Sequence, residues 1–172
     1  MKQILQIGKV GQLGWELLRT CAPLGEVVAL DYPDVDLSDS KSLRELVRSI
    51  KPDIIINAAA YTNVDRAESE PEKARAINTT GPGVLAEEAK RINAVLVHYS
   101  TDYVFDGTKG SPYTEADTPN PLSVYGQTKL EGEQAVMASG CSFLVLRSSW
   151  IYSRRSGFVA KVLEWARTQE TI

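Results

Sequence analysis

The chain has 172 residues, a net charge of −3, and 43% hydrophobic and 24% charged residues. That length can bury a sizeable core in a single domain spanning 1–172, and the composition is ordinary for a globular protein. The charge gives no reason to expect nucleic acid or an acidic membrane as a partner. No apolar run reaches membrane-spanning length, and no basic segment with a long apolar stretch opens the chain, so a cytoplasmic protein is expected. Cys21 and Cys141 are too few and too scattered for a disulfide framework or a cysteine metal site, and they read as core thiols. The single histidine, His98, argues against His-rich metal sites and a Ser-His-Asp hydrolase, and reads as a packed residue.

Residues 3–7 form a short apolar strand, followed by Gly8-Lys9-Val10-Gly11-Gln12-Leu13-Gly14 and a helical pattern to about Ala22. Strand, glycine-rich turn and helix make a place where backbone approaches a pyrophosphate and the helix N-terminus favours its charge. The spacing is G-x-x-G-x-x-G, and three glycines near a turn are also consistent with a turn alone. A second strand, Val27 to Leu30, ends at Asp31, where a dinucleotide fold hydrogen-bonds the adenosine ribose. A carboxylate there repels a 2′-phosphate, and no Arg or Lys follows in 32–40, so NADH is expected over NADPH. The plainer reading has Asp31 opening a turn before Pro33. Asp36 and Leu37 then border the adenine, and Ser38 or Asp39 caps the next helix.

Residues 40–50 have helical spacing, ended by Pro52, and 53–57 form a third strand followed by Ala58-Ala59-Ala60. Small side chains there let a cofactor lie against backbone, or let helices pack closely. Tyr61 and Thr62 follow, then the acidic stretch Asp65 to Glu72, read as a solvated face, with a Mg2+-bridged dimer contact as the alternative. Residues 72–92 read as one long helix with an irregularity at Gly81-Pro82-Gly83. Residues 94–100 are a fourth strand, 122 to about 138 a helix, 142–146 a strand, and 158–167 a final helix. Alternating short apolar strands and amphipathic helices predict an α/β fold, a doubly wound Rossmann-type parallel sheet with helices on both faces. The long irregular segment 106–121 reads as a flap beside a site.

The stretch from Ser100 to Lys129 carries the chemistry. Tyr125 and Lys129 stand four apart on a helix and so share a face. An ammonium there stabilises a phenolate and draws the tyrosine pKa towards a working pH. Ser100 and Thr101 add hydroxyls at a strand end, where open α/β sheets place their sites. The plainer reading of Tyr125 and Lys129 is a solvated i, i+4 contact.

Taken together, GKVGQLG, INAAAYTNVD, HYSTDYVFDG, PLSVYGQTKLEGE and LRSSWIYS resemble the extended short-chain dehydrogenase/reductases, and within them the dTDP-4-dehydrorhamnose reductase family, over essentially the whole chain. The resemblance implies NAD(P)H-dependent reduction of the C4 keto group of a dTDP-4-dehydro sugar. It implies that Gly8, Gly11, Gln12, Leu13 and Gly14 meet the pyrophosphate, Asp31 the ribose, and Asp36 and Leu37 the adenine. Ala60, Tyr61 and Thr62 would line the nicotinamide half. Tyr125, Lys129 and Thr101 would be catalytic, and Thr101, Asp102 and Trp150 would meet the dTDP-sugar. It further implies that a C-terminal substrate lobe is missing beyond Ile172, and it leaves a homodimer open. Two other readings stand beside it: a non-catalytic dinucleotide-binding regulatory subunit, and an NAD-dependent sugar epimerase or dehydratase. Tyr103 after Asp102 argues against dehydration, because the dehydratases carry an acidic pair there.

Overall fold

Five parallel strands in the order β2-β1-β3-β4-β5 form the sheet of the computed structural model, which describes residues 1–168. They are β1 (Gln3–Ile7), β2 (Glu26–Leu30), β3 (Ile54–Asn57), β4 (Val95–Thr101) and β5 (Ser142–Ser148). The helices are α1 (Gln12–Cys21), α2 (Ser40–Ile50), α3 (Val64–Ser69), α4 (Pro71–Arg75), α5 (Gly81–Ile92), α6 (Val124–Ser139) and α7 (Phe158–Thr168). The expected doubly wound α/β fold is what forms.

Alternation along each strand divides the core. Leu5, Ile7, Ile55 and Leu96 face one side, packed against Leu43 and Val47 of α2, Leu85 and Ala89 of α5, and Val136 of α6. Ile4 and Ile56 face the other side, against Leu17 and Cys21 of α1. β1 lies between β2 and β3, so the chain leaves β1 in one direction through α1 and returns past it through α2. That reversal opens a crevice at the carboxyl ends of β1 and β3, where such sheets hold their ligands.

One local expectation changes. Residues 72–92 are helical throughout, but the irregularity is not at Gly81-Pro82-Gly83. It lies one turn earlier, as a π-helical segment, Ala76–Thr80. Pro82 has no N–H to give the Asn78 carbonyl, and the Gly81 N–H reaches back five residues to the Ala76 carbonyl. The acidic stretch is the solvated face expected, with Asp65, Arg66, Glu68, Ser69 and Glu72 exposed. Asn63 caps α3 by accepting from Arg66 N at 2.9 Å, and Ala67 within α3 is fully buried.

On the outer side of the helical layer, Glu88 of α5 is buried among three arginines. Arg48 donates to both of its oxygens at 2.6 and 2.9 Å, Arg91 at 2.8 Å and Arg44 at 3.3 Å. These bonds, led by Arg48, lower the Glu88 pKa to about 2. A depressed carboxylate contributes stability above its unfolded value and loses it as pH falls through the folded one. The α2–α5 tie therefore weakens between about pH 4.5 and pH 2. Glu88→Gln is expected to cost about 2 kcal/mol near neutral pH, because the three arginines it strands can still turn to water. Urea unfolding at pH 7 and pH 3 checks this, with the difference between variant and parent smaller at pH 3.

Candidate active site

The turn after β1 is shaped by two glycines. Gly8 has φ +96°, and a Cβ on it would lie 2.8 Å from the Ala58 carbonyl carbon and the Ala59 nitrogen. A Cβ on Gly14 would run into the Gly8 carbonyl. The fully buried Gln6 side chain donates to the Gly14 carbonyl at 2.7 Å, holding α1 against β1. Gly11 differs: a Cβ there would meet nothing nearer than the Gly8 carbonyl at 3.7 Å. The chain's own packing leaves room at Gly11, so its bare backbone suits an approach from outside. Gly11 is the N-cap of α1 and makes no side-chain capping bond, which leaves first-turn N–H groups for an anion. This cradle fits a dinucleotide pyrophosphate. The Gln12 side-chain amide, in the orientation its neighbours favour, donates to the carbonyls of Ile151 and Ser156 at 3.1 and 3.0 Å.

Asp31 sits at the end of β2 and braces the same turn. One oxygen accepts from Val10 N at 2.8 Å and the other from Tyr32 N at 2.9 Å. Beside it a pocket of about 470 Å3 is lined by Asp31, Asp36, Leu37, Ala60 and Ile77, with Lys73 on its rim. A second pocket of about 420 Å3 shares Ala59 and Ala60 with the first. It carries Gly11, Gln12, Leu13 and Thr62 on one wall and Thr101, Tyr125 and Lys129 on the other. The two pockets adjoin at Ala59 and Ala60 over the strand ends, which is where open α/β sheets bind dinucleotides.

The predicted proton-transfer residues meet in the second chamber. Ser123 caps α6 by accepting from Gly126 N at 3.1 Å, which fixes the first turn that bears Tyr125. The Thr101 hydroxyl donates to Asp102 and accepts from Tyr103 N, both at 3.2 Å, and it lines the same pocket as Tyr125. The Tyr103 ring stands edge-on to that of Tyr125, with centroids 5.6 Å apart. Lys129 is buried and donates to the Tyr99 carbonyl at 2.6 Å. Burial lowers its pKa to about 8.

The expected charge effect between the pair is corrected. Burial raises the Tyr125 pKa, the nearby Thr101 hydroxyl opposes it, and Asp102 and Tyr103 raise it further. Lys129 is a depressed ammonium aimed at a backbone carbonyl, so it does not pull the phenol down. Tyr125 is therefore a protonated phenol in this state, which is the form a proton donor needs.

Other predicted residues lie further off. Trp150 is 73% exposed and packs on Phe158 with centroids 6.0 Å apart, away from the cleft wall. Asp102 is exposed and lines a neighbouring depression with Phe105, Tyr113 and Arg147. Tyr61 turns its hydroxyl to Glu70 at 2.9 Å, while its backbone is gripped by Asn78. Asn78 lies in the π-helical segment, fully buried. It accepts from Tyr61 N at 2.8 Å and donates to the Tyr61 carbonyl and to the Thr128 hydroxyl on α6. That clamp between cofactor wall and α6 was missed in the sequence, whose signal was Asn78 shortly before Gly81-Pro82. The segment 106–121 is ordered around Asp106, which accepts from the Tyr113 hydroxyl, Thr108 and Asn120 at 2.8 to 3.0 Å. Among the described residues, no group of three or more His, Cys, Asp or Glu side chains is placed to hold a metal. No described helix is long and apolar enough to cross a membrane.

Residues 1–172 match the family described as the RmlD substrate binding domain. Proteins named dTDP-4-dehydrorhamnose reductase from Escherichia coli K12 and Salmonella typhimurium are 47% and 46% identical over 98% of the chain. The chain spans 58% of their length. Among solved structures, a dTDP-4-dehydrorhamnose reductase from Clostridium acetobutylicum superposes with a TM-score of 0.93 at 38% identity, over 98% of this chain and 60% of that one. The enzyme of the same name from Bacillus anthracis, in complex with NADP, gives 0.93 at 33% identity, over 98% and 61%.

Proposed function

We propose, from the premise that this chain belongs to the RmlD substrate binding domain family, that its cleft serves NAD(P)H-dependent reduction of the C4 keto group of dTDP-4-dehydro-L-rhamnose, giving dTDP-L-rhamnose. The observation that carries this is the shared cleft, with an anion cradle at Gly11–Leu13 on one wall and Thr101, Tyr125 and Lys129 on the other. Bound reduced nicotinamide would supply hydride to the carbonyl carbon. Tyr125 would give its phenol proton to the carbonyl oxygen as charge develops there. Thr101 would hold that oxygen by hydrogen bonding, and fixed donors around it are what the step needs. Lys129 would hold the nicotinamide ribose and carry positive charge beside the phenolate left behind. Gly8, Gly11, Gln12, Leu13 and Gly14 would hold the pyrophosphate through backbone. Asp36 and Leu37 would border the adenine, and Ala60, Tyr61 and Thr62 the nicotinamide half. Asp102 and Trp150 would meet the sugar nucleotide outside the cleft wall.

Asp31 favours NADH, because its carboxylate lies in the adenosine chamber and repels a 2′-phosphate. The NADP complex of the Bacillus anthracis relative supports acceptance of the phosphorylated cofactor as well, with Lys73 the nearby cation. A cytoplasmic homodimer remains part of the proposal. A Mg2+ bridge at Asp65–Glu72 gains no support, since Glu68 and Glu70 bond to Val124 and Tyr61. The test is loss of NADH absorbance by the full-length protein with dTDP-4-dehydro-L-rhamnose, repeated with NADPH. Turnover with a lower KM for NADH is expected. No consumption with either cofactor, alongside tight association with another protein, would favour the regulatory reading.

A further inference from the structure

The first turn of α6 carries Tyr125, and three contacts hold it. Ser123 supplies the cap from the preceding loop. Gly126 lies so close to the Tyr103 carbonyl that a Cβ there would collide with it. The third contact comes from a distant element: a Glu68 oxygen accepts from Val124 N at 2.8 Å, across 56 residues of chain. Val124 is the first residue of α6 and the neighbour of Tyr125. Its N–H is one of the orphan donors of a helix start, and a carboxylate on it is charge-assisted and favoured by the helix dipole.

Glu68 belongs to α3, which begins just after the Ala58–Thr62 wall of the cleft. Glu70, the residue that ends α3, is tied back to that wall by accepting from the Tyr61 hydroxyl at 2.9 Å, and it accepts from Arg66 Nε of α3 at 2.6 Å. α3 and its C-cap therefore link the two sides of the cleft, with Glu70 bonded to Tyr61 and Glu68 to the start of α6.

We propose that Glu68 is a positioning residue for Tyr125, holding the first turn of α6 in register with the cofactor wall through its bond to the Val124 N–H. This rests on the reductase reading for its kinetic consequence only. The groups that act on the Tyr125 phenol are the Thr101 hydroxyl, Asp102 and Tyr103 after β4. Lys129, one turn along α6, is turned to the Tyr99 carbonyl, and Glu68 is bonded to backbone at the helix start.

The experiment uses the full-length protein with Glu68→Gln and Glu68→Ala. Glutamine keeps an acceptor for Val124 N and removes the charge, whereas alanine removes both. Phenol ionisation is read by ultraviolet difference titration against the matching Tyr125→Phe background, which needs no substrate. Glu68→Gln, which keeps the bond to the Val124 N–H, is expected to leave the Tyr125 titration and kcat near the parent. Glu68→Ala is expected to lower kcat about tenfold or more at unchanged KM for NADH, as a misplaced donor does. It is also expected to give more Tyr125 phenolate at a fixed alkaline pH, because burial is what raises the phenol pKa and a displaced ring loses it. Glutamine should restore most of both changes. An unchanged phenol titration or a parental kcat in Glu68→Ala overturns the proposal, and so does a loss confined to Tm. If the sugar is not turned over at all, the reductase reading fails, while the titration still decides the role of Glu68.

Discussion

Tyr125→Phe in the full-length protein is expected to lower turnover with dTDP-4-dehydro-L-rhamnose by a factor of about 10² or more, while NADH affinity stays within about twofold. The phenol stands on the α6 wall of the second chamber, which the Thr101 hydroxyl lines as well. Phenylalanine keeps the ring that stands edge-on to Tyr103, so the wall keeps its shape. What is lost is the proton. The loss should be seen in kcat rather than KM, because the hydroxyl matters most as charge builds on the carbonyl oxygen. Steady-state rates with NADH fluorescence titration on the same sample separate the two. Turnover within about threefold of the parent would remove Tyr125 from the chemistry.

Lys129→Met is expected to do two opposite things. Turnover falls by about 10² or more, because no cation remains to hold the nicotinamide ribose and balance the phenolate. The cofactor-free protein, in contrast, becomes more stable at pH 7. Burial brings the Lys129 pKa from 10.5 to about 8, so the folded state binds that proton less readily than the unfolded chain. The penalty is fully present below about pH 8 and disappears as pH rises towards 10.5. Methionine fills similar volume without the charge, at the loss of the bond to the Tyr99 carbonyl. A net gain on the order of 1 kcal/mol, or a rise in Tm of about 2 °C, is expected at pH 7. The gain should shrink at pH 10. A lower Tm at pH 7 would show that the ammonium is held by more than the Tyr99 carbonyl.

Such a strained lysine was not legible in the sequence, and the reason is general to this site. Periodicity reports which side of an element meets the core. It located the strands, the glycine turn and the Tyr125–Lys129 helix, with α2 found at 40–50 as it stands. It also put Asp31, Thr101, Tyr125 and Lys129 at strand ends and on one helix face. It does not report depth. The pattern allowed Lys129 to be a solvated partner of Tyr125, whereas packing of α6 on β4 buries it and sets its charge against the Tyr99 carbonyl.

The acidic stretch is a solvated face, as its charges suggest, with Asp65, Arg66, Glu68, Ser69 and Glu72 exposed. What the sequence did not show is that Glu68 and Glu70 find partners 56 and 9 residues away. Only the folded chain brings Val124 and Tyr61 to them. The π-helical segment lay one turn from the expected break, because Pro82 disturbs the carbonyl four residues before it rather than its own position. Asn78 at that carbonyl became the clamp on Tyr61 and Thr128.

The central claim is that one dinucleotide lies along both chambers, with its reactive end at Tyr125. A crystal structure of the full-length protein with NADH tests this most directly. The account predicts adenine against Asp36 and Leu37, pyrophosphate on the amides of Gly11 to Leu13, and nicotinamide between Ala60 and Tyr125. Adenine in the chamber of Tyr125 and Lys129, or a dinucleotide bound away from the Gly8–Gly14 turn, would contradict it.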